Sequence, residues 1–298
     1  MKKAIRIIRI LLSVAIILTV LYFAFAFLGN PVSYILTKRS AKHYMADNYA
    51  DTDFQTSAVG YNFKTGDYYV NVSSPSSIDS HFTVYFDGWG HYIYDTYDSV
   101  TSLSNTISRL DSEYRKLVKS KLYEGNGTLN SGVAFGELRI AGVYEIHSYT
   151  TEDGSTEYYT LDKEYGLDRS TLEIDGQYDI QELARAAGLI TLDIHDEVIT
   201  VERAAELLLQ TKAYLDENNI PFYAINFDLR ESKNEFGQTV GDSVSVYDFL
   251  YSDIYPEGMS ERVKENWDAL QEHHAIQDAE NAKWLAENAG NLQRRLWK

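Results

Sequence analysis

The chain has 298 residues, with 27 Lys+Arg against 44 Asp+Glu, a formal net charge of −17, and no cysteine. Without a thiol there can be no disulfide staple, no cysteine-based catalysis, no cysteine-ligated zinc and no lipid attached through cysteine. So acidic a surface repels nucleic acid phosphate, which removes nucleic acid from the expected partners.

Lys2, Lys3, Arg6 and Arg9 precede an uncharged apolar run from Ile10 to Leu28. At about 1.5 Å of rise per residue this run spans a hydrocarbon layer of roughly 30 Å. The basic flank stays in the cytoplasm, so everything after Gly29 is expected outside. The expectation is a single-pass cell-membrane protein that meets the lipid bilayer through residues 10–28, with a cytoplasmic N-terminus and extracellular C-terminal domains. Ala24-Phe25-Ala26 offers an alternative, a signal-peptide cleavage site. However, the apolar run continues through Phe27 and Leu28, beyond the roughly 7–15 residues usual for a cleaved signal. The first 28 residues hold four of the basic side chains and no acidic ones, which leaves a charge of about −21 on the remainder.

Residues 30–122 read as a first external unit. Asn30-Pro31 is a helix start, with Asn at the cap and Pro at the first helical position. Val32, Ile35, Leu36, Tyr44, Met45 and Tyr49 supply a loose apolar face to a helix that ends near Asn48. Three alternating runs follow: Val59, Tyr61 and Phe63; Tyr68, Val70 and Val72; Phe82, Val84 and Phe86. Gly88-Trp89-Gly90 breaks the pattern, and His91 to Tyr97 continues the third strand or forms a fourth. Val100, Leu103, Ile107, Leu110, Tyr114 and Leu117 then mark one helix.

Residues 123–298 read as a second unit. Gly125-Asn126-Gly127 suggests a linker or hairpin turn. Strands are expected over Glu137–Tyr149 and Thr156–Leu161, joined by a turn at Thr151–Ser155. A short helix from Asp179 to Ala187 precedes a strand through Ile190, Leu192 and Ile194. A helix capped by Thr200 stops at Asn218-Asn219-Ile220-Pro221. Strands through Tyr223–Leu229 and Val244–Phe249 flank a polar loop, Glu231–Gly241. A last helix begins near Ser260 and weakens at Gly290. The fold class is therefore α+β: one N-terminal transmembrane helix in 1–29, then two small external α+β domains with antiparallel sheets.

Gly29-Asn30-Pro31-Val32-Ser33, Tyr44–Tyr49 and Tyr61-Asn62-Phe63-Lys64 resemble the YfjL-like proteins of Firmicutes. In the second half Ile190–Val198, Val201-Glu202-Arg203-Ala204-Ala205-Glu206 and Asn219-Ile220-Pro221-Phe222-Tyr223 continue the likeness. The resemblance implies a membrane-anchored arrangement. It brings no catalytic residues.

The chain lacks His-Glu-x-x-His, Gly-x-Ser-x-Gly, Walker and Gly-x-Gly-x-x-Gly patterns, so no cofactor is implied. Four groups are candidates. Asp79, His81 and His91 could meet at a metal, although their spacing is not diagnostic. Asp193 and His195 share the outer face of a strand if Leu192 and Ile194 face the core, and a carboxylate there could tune the imidazole. His273-His274 lie about 100° apart on a helix and cannot readily chelate one ion. Tyr85, Trp89, Tyr92, Tyr94 and Tyr97 could stack on a sugar or clamp a peptide, against the plainer reading of sheet-face packing. The function expected is a membrane-tethered, non-catalytic binding, sensing or interaction module. Its partner would be an envelope peptide, a glycan or a membrane protein. An envelope-acting hydrolase and a structural partner of a membrane complex are the alternatives.

Overall fold

The computed structural model describes residues 2–122, 131–141, 145–150, 156–161, 165–231 and 243–296. The expected turns at 125–127 and 151–155 and nearly all of the loop 231–241 lie outside them. The chain divides into two compact units. One comprises Met1–Ser108 with Leu172–Gly176, and the other Arg109–Thr171 with Gln177–Lys298.

The first unit opens with α1 (Lys2–Leu28) and α2 (Pro31–Asn48). The helix α1 is long and apolar enough to cross a membrane: its apolar window has a mean hydropathy of 2.7 and no buried residue. Asn30 caps α2 as expected, its side chain accepting from the Val32 N–H at 2.9 Å. The junction is tight. Gly29 sits at φ +80°, where a side chain would be strained, and a Cβ there would lie 2.9 Å from the Tyr61 ring. The Tyr61 hydroxyl donates to the Ala26 carbonyl at 3.1 Å, and the Tyr34 hydroxyl to the Leu28 carbonyl at 3.0 Å. The Asn30 N–H donates to the Tyr68 hydroxyl. Tyrosines of the folded unit thus satisfy carbonyls that the end of α1 would otherwise leave open.

The expected apolar face of α2 is half right. Tyr44, Met45 and Tyr49 pack on the core, but Val32 and Ile35 are 61% and 70% exposed. The buried row is Ser33, Thr37 and Ala41, small side chains at i, i+4 and i+8. Small residues there bring the helix backbone close to its neighbours: a Cβ on Gly90 would lie 3.1 Å from Leu36.

Five strands follow: β1 (Gln55–Thr56), β2 (Gly60–Asn62), β3 (Asp67–Ser73), β4 (His81–Phe86) and β5 (Tyr92–Asp95). Their order is β1-β3-β4-β5, with β2 also on β3, and every pairing is antiparallel. Tyr68, Val70, Val72, Phe82, Val84 and Phe86 are all buried on the helix side, as their alternation predicts. The single helix expected after β5 is broken. A short α3 (Asp98–Thr101) precedes α4 (Ser104–Leu122), and Leu103 takes a left-handed φ of +62° between them. In α4 the fully buried row is Thr106, Leu110, Tyr114 and Val118, four apart, while Ile107 and Leu117 lie only partly buried.

The second unit takes α4 from Arg109 onward and adds β6 (Ser131–Leu138), β7 (Glu145–Thr150) and β8 (Thr156–Leu161), the last two forming a separate antiparallel hairpin. Then come α5 (Ile180–Ala187), β9 (Gly188–Asp196), α6 (Val201–Glu217), β10 (Ala224–Glu231), β11 (Ser243–Leu250) and α7 (Met259–Leu296). Asp179 and Thr200 cap α5 and α6 through their side-chain oxygens. The helix α7 runs unbroken past Gly290 to Leu296, against the expected weakening there.

The sheet order is β11-β10-β9-β6. The expectation of an antiparallel sheet fails at its centre, because β9 and β10 are parallel, with Ile190 level with Ile225 and Asp193 with Asp228. The 17-residue α6 between them returns the chain to the starting edge, which is what a parallel pair requires. Burial follows from this position. The first six residues of β10 are buried, polar Asn226 and Asp228 included.

Candidate functional site

The aromatic candidates divide three ways. On the face of the first sheet opposite its core, Tyr69, Tyr85 and Tyr94 stand level on β3, β4 and β5. The Tyr85 and Tyr94 rings stack at 4.5 Å and 15°, and Tyr69 follows at 6.1 Å. Tyr69 lies over Gly60 on β2, where a Cβ would come within 2.3 Å of the ring, so the row crosses four strands. The stacked Tyr85 and Tyr94 rings shield one another's faces. Burial, then the neighbouring Tyr94, pushes the Tyr85 hydroxyl above its ordinary range, so it remains a donor.

Tyr92 should share this face with Tyr94, two residues on. It does not, because the register slips between Tyr85 and Phe86 and leaves Ile93 as an extra residue. Tyr92 therefore points towards α2 and stacks on Tyr44 at 4.9 Å and 12°. Both hydroxyls donate to one carboxylate oxygen of Asp95, Tyr92 at 3.0 Å, while the Tyr97 N–H donates to the other at 2.9 Å. Burial alone would raise the Asp95 carboxyl, but these three donors outweigh it and hold it below the usual range. Tyr97 packs its ring against Tyr49, Phe54 and Phe82 in the core.

Trp89 is 76% exposed at the tip of the β4–β5 loop. Asp87 sets that loop by accepting from the N–H groups of Trp89 and His91, each at 2.8 Å, and from His91 Nδ1 at 2.9 Å. A Cβ on Gly88 would lie 3.8 Å from Ser33 Oγ, so the loop rests against the first turn of α2.

The structure does not assemble Asp79, His81 and His91. Asp79 is buried, and its carboxylate accepts from the Asp175 N–H at 3.0 Å while its own N–H donates to Asp175 Oδ1 at 2.9 Å. His81 is exposed at the far end of β4, and His91 pairs with Asp87. Among the described residues no three His, Asp or Glu side chains gather in a way that could hold a metal ion.

In the second unit Leu192 and Ile194 are buried, which puts Asp193 and His195 on the other face, as the alternation requires. His195 Nδ1 lies 2.9 Å from the Glu231 carbonyl, and Asp196 pairs with Arg203 at 2.8 Å. The sequence missed the partner of Asp193, which is Asp228 on β10. The Arg230 guanidinium spans the two carboxylates at 3.6 and 3.5 Å, and the Ser245 hydroxyl donates to Asp228. Burial pushes the Asp228 carboxyl up despite Ser245 and Arg230. Such a group can hold a proton at pH values where an ordinary carboxyl has lost it. The signal that could have found it is the parallel register, invisible in one strand alone. Further along, Arg139, 4% exposed, pairs with Asp248 at 2.9 Å and lies 5.0 Å from the Tyr165 ring. Asp248 adopts φ +53° at the β10–β11 bulge and also accepts from the Tyr165 hydroxyl at 2.8 Å.

No curated protein and no solved structure matches the chain. Two family models do. Residues 1–97 match the YfjL-like N-terminal domain and residues 113–264 the YfjL-like C-terminal domain. Together they take in the collared end of α1, the tyrosine row and the paired aspartates of β9 and β10. The chain belongs to the YfjL-like family.

Proposed function

We propose that this chain is a membrane-tethered, extracytoplasmic binding module that works without turnover. The observation that carries the reading is the collared junction. Tyr34, Tyr61 and Tyr68 hold the end of α1 through Leu28, Ala26 and Asn30. Cleavage after Ala26 would strip the Tyr61 contact from the folded unit and leave it only Phe27 and Leu28 of α1, which favours an anchor over a removable leader. Exposed apolar side chains continue beyond the span. Phe63 is 56% exposed, lies 6.1 Å from Phe27 and joins Val32, Ile35 and Trp89 at this end of the unit. Aromatic and apolar groups of this kind favour the membrane–water interface. The ligand is an envelope peptide or glycan, met by the tyrosine row Tyr69, Tyr85 and Tyr94. In cells expressing a C-terminally tagged chain, the tag is lost to externally added protease and the full-length protein pellets with membranes. A protected tag, or a shortened soluble chain, overturns the tethering. In nanodiscs, binding to wall-derived peptides or glycans falls on Tyr94→Ala, and unchanged binding removes the row from the reading.

A further inference from the structure

The second unit contains a cavity of about 480 Å³, within the roughly 300–1,000 Å³ of pockets that enclose small molecules. It is built at the end of α6. The Asn219 N–H donates to Asp216 O and the Ile220 N–H to Leu215 O, with Asn219 at φ +54° between them. This is a Schellman stop, and Pro221 then blocks any further helical turn. The chain is thereby turned so that Asn219, Ile220, Pro221, Phe222 and Tyr223 all line the cavity. Ile220 and Phe222 are 1% and 3% exposed and give it an apolar floor.

One wall is stiff. Tyr251 stands edge-on to Phe222 at 5.1 Å, and Lys212 Nζ lies 3.8 Å from its ring. The same ammonium donates to the carbonyls of Tyr251 and Ile254 at 3.0 and 2.9 Å. The Tyr251 hydroxyl reaches both carboxylate oxygens of Asp216, at 3.2 and 3.3 Å. Arg185 on α5 lines the cavity too, and among the described residues it has no carboxylate or hydrogen-bond partner. Arg185 and Asp216 thus bring opposite charges to one apolar, aromatic chamber.

We infer that this cavity binds an apolar or aromatic α-amino acid, free or at the end of a short peptide. Arg185 takes the carboxylate, Asp216 takes the ammonium, and the side chain packs on Phe222 and Tyr251. A carboxylate on an arginine uses charge-assisted hydrogen bonds, which are the stronger ones. This inference is independent of the sheet face in the first unit and stands or falls without it.

The test is calorimetric titration of the full chain in detergent with phenylalanine, leucine and their dipeptides. Phenethylamine and phenylpropionate, each lacking one charge, serve as matched probes. The zwitterions bind, and each single-charge probe binds roughly tenfold or more weakly. Arg185→Gln loses roughly tenfold or more for the zwitterions while leaving phenethylamine unchanged, and Asp216→Asn does the converse. Arg185 and Asp216 are exposed, so neither change threatens the fold, and an unshifted unfolding midpoint confirms that. Dipeptides binding better than single amino acids assigns a peptide end; the reverse assigns free amino acids. No binding by any zwitterion, or Arg185→Gln binding them as the wild type does, overturns the proposal.

Discussion

Two aspartates show how the same side chain is set to opposite ends by its neighbours. Burial among strands pushes the Asp228 carboxyl above its ordinary range, whereas Asp95, despite its own burial, is held below it by three donors. For Asp95 the folded-state value lies below the unfolded one, so its stabilisation is present above the unfolded value and is lost as pH falls through the folded one. Asp95→Asn is therefore expected to cost about 1–3 kcal/mol at neutral pH, the worth of hydrogen bonds to a charged group. The gap to wild type should close as pH falls through and below the ordinary carboxylate range and acid protonates the native carboxyl. Urea unfolding of both proteins at neutral and acid pH checks this, and a gap that stays constant with pH contradicts it. For Asp228 the sign reverses: its contribution is present at low pH and fades as pH rises through its raised value.

Among the elements, the tyrosine row depends on a residue that is not aromatic. Gly60 leaves the space that Tyr69 fills. Gly60→Val should cost about 1–3 kcal/mol through overpacking, and much less in a Tyr69→Ala background. Equal costs in the two backgrounds, measured by thermal unfolding, would mean that the ring does not rest there. Helix starts and stops were legible in the sequence because capping is local: Asn30, Asp179, Thr200 and Asn219 each act within a few residues. The core faces of β3, β4 and β9 were legible for the same reason, since strand alternation needs no partner. What sequence reasoning missed depends on distant chain. The bulge that sends Tyr92 to α2 exists only in the pairing of β5 with β4. The parallel register that sets Asp228 beside Asp193 exists only once α6 has carried the chain back. The small-residue face of α2 is not legible from apolar content, because its buried side chains are small and partly polar. There the close approach of backbones favours serine, threonine and alanine.

At the scale of the whole chain, two folded units carry different chemistry. The first is aromatic on its open sheet face and apolar where it adjoins α1. The second keeps its ionic groups on and beside its mixed sheet, and its cavity at the end of α6. Only part of this division was visible beforehand. The tyrosines of the first unit stood out by composition, whereas the cavity is made by a helix stop whose five residues look purely structural when read in line.

The junction at Gly29 also sets a phase. Because Ala26 and Leu28 are gripped by Tyr61 and Tyr34, the rotation of α1 about its axis is locked to the azimuth of the first unit. Each residue of a helix advances that angle by about 100° and the height by about 1.5 Å. One alanine inserted before Tyr22 should therefore swing Trp89 and Phe63 around the axis relative to the N-terminal half of α1, with almost no change in their height. Three or four alanines should return them near their starting bearing, roughly 5 Å higher. Depth-dependent quenching of Trp89 fluorescence by labelled lipids, with the other three tryptophans replaced by phenylalanine, would read out the two series: the protein would behave as a crank whose throw is counted in single residues.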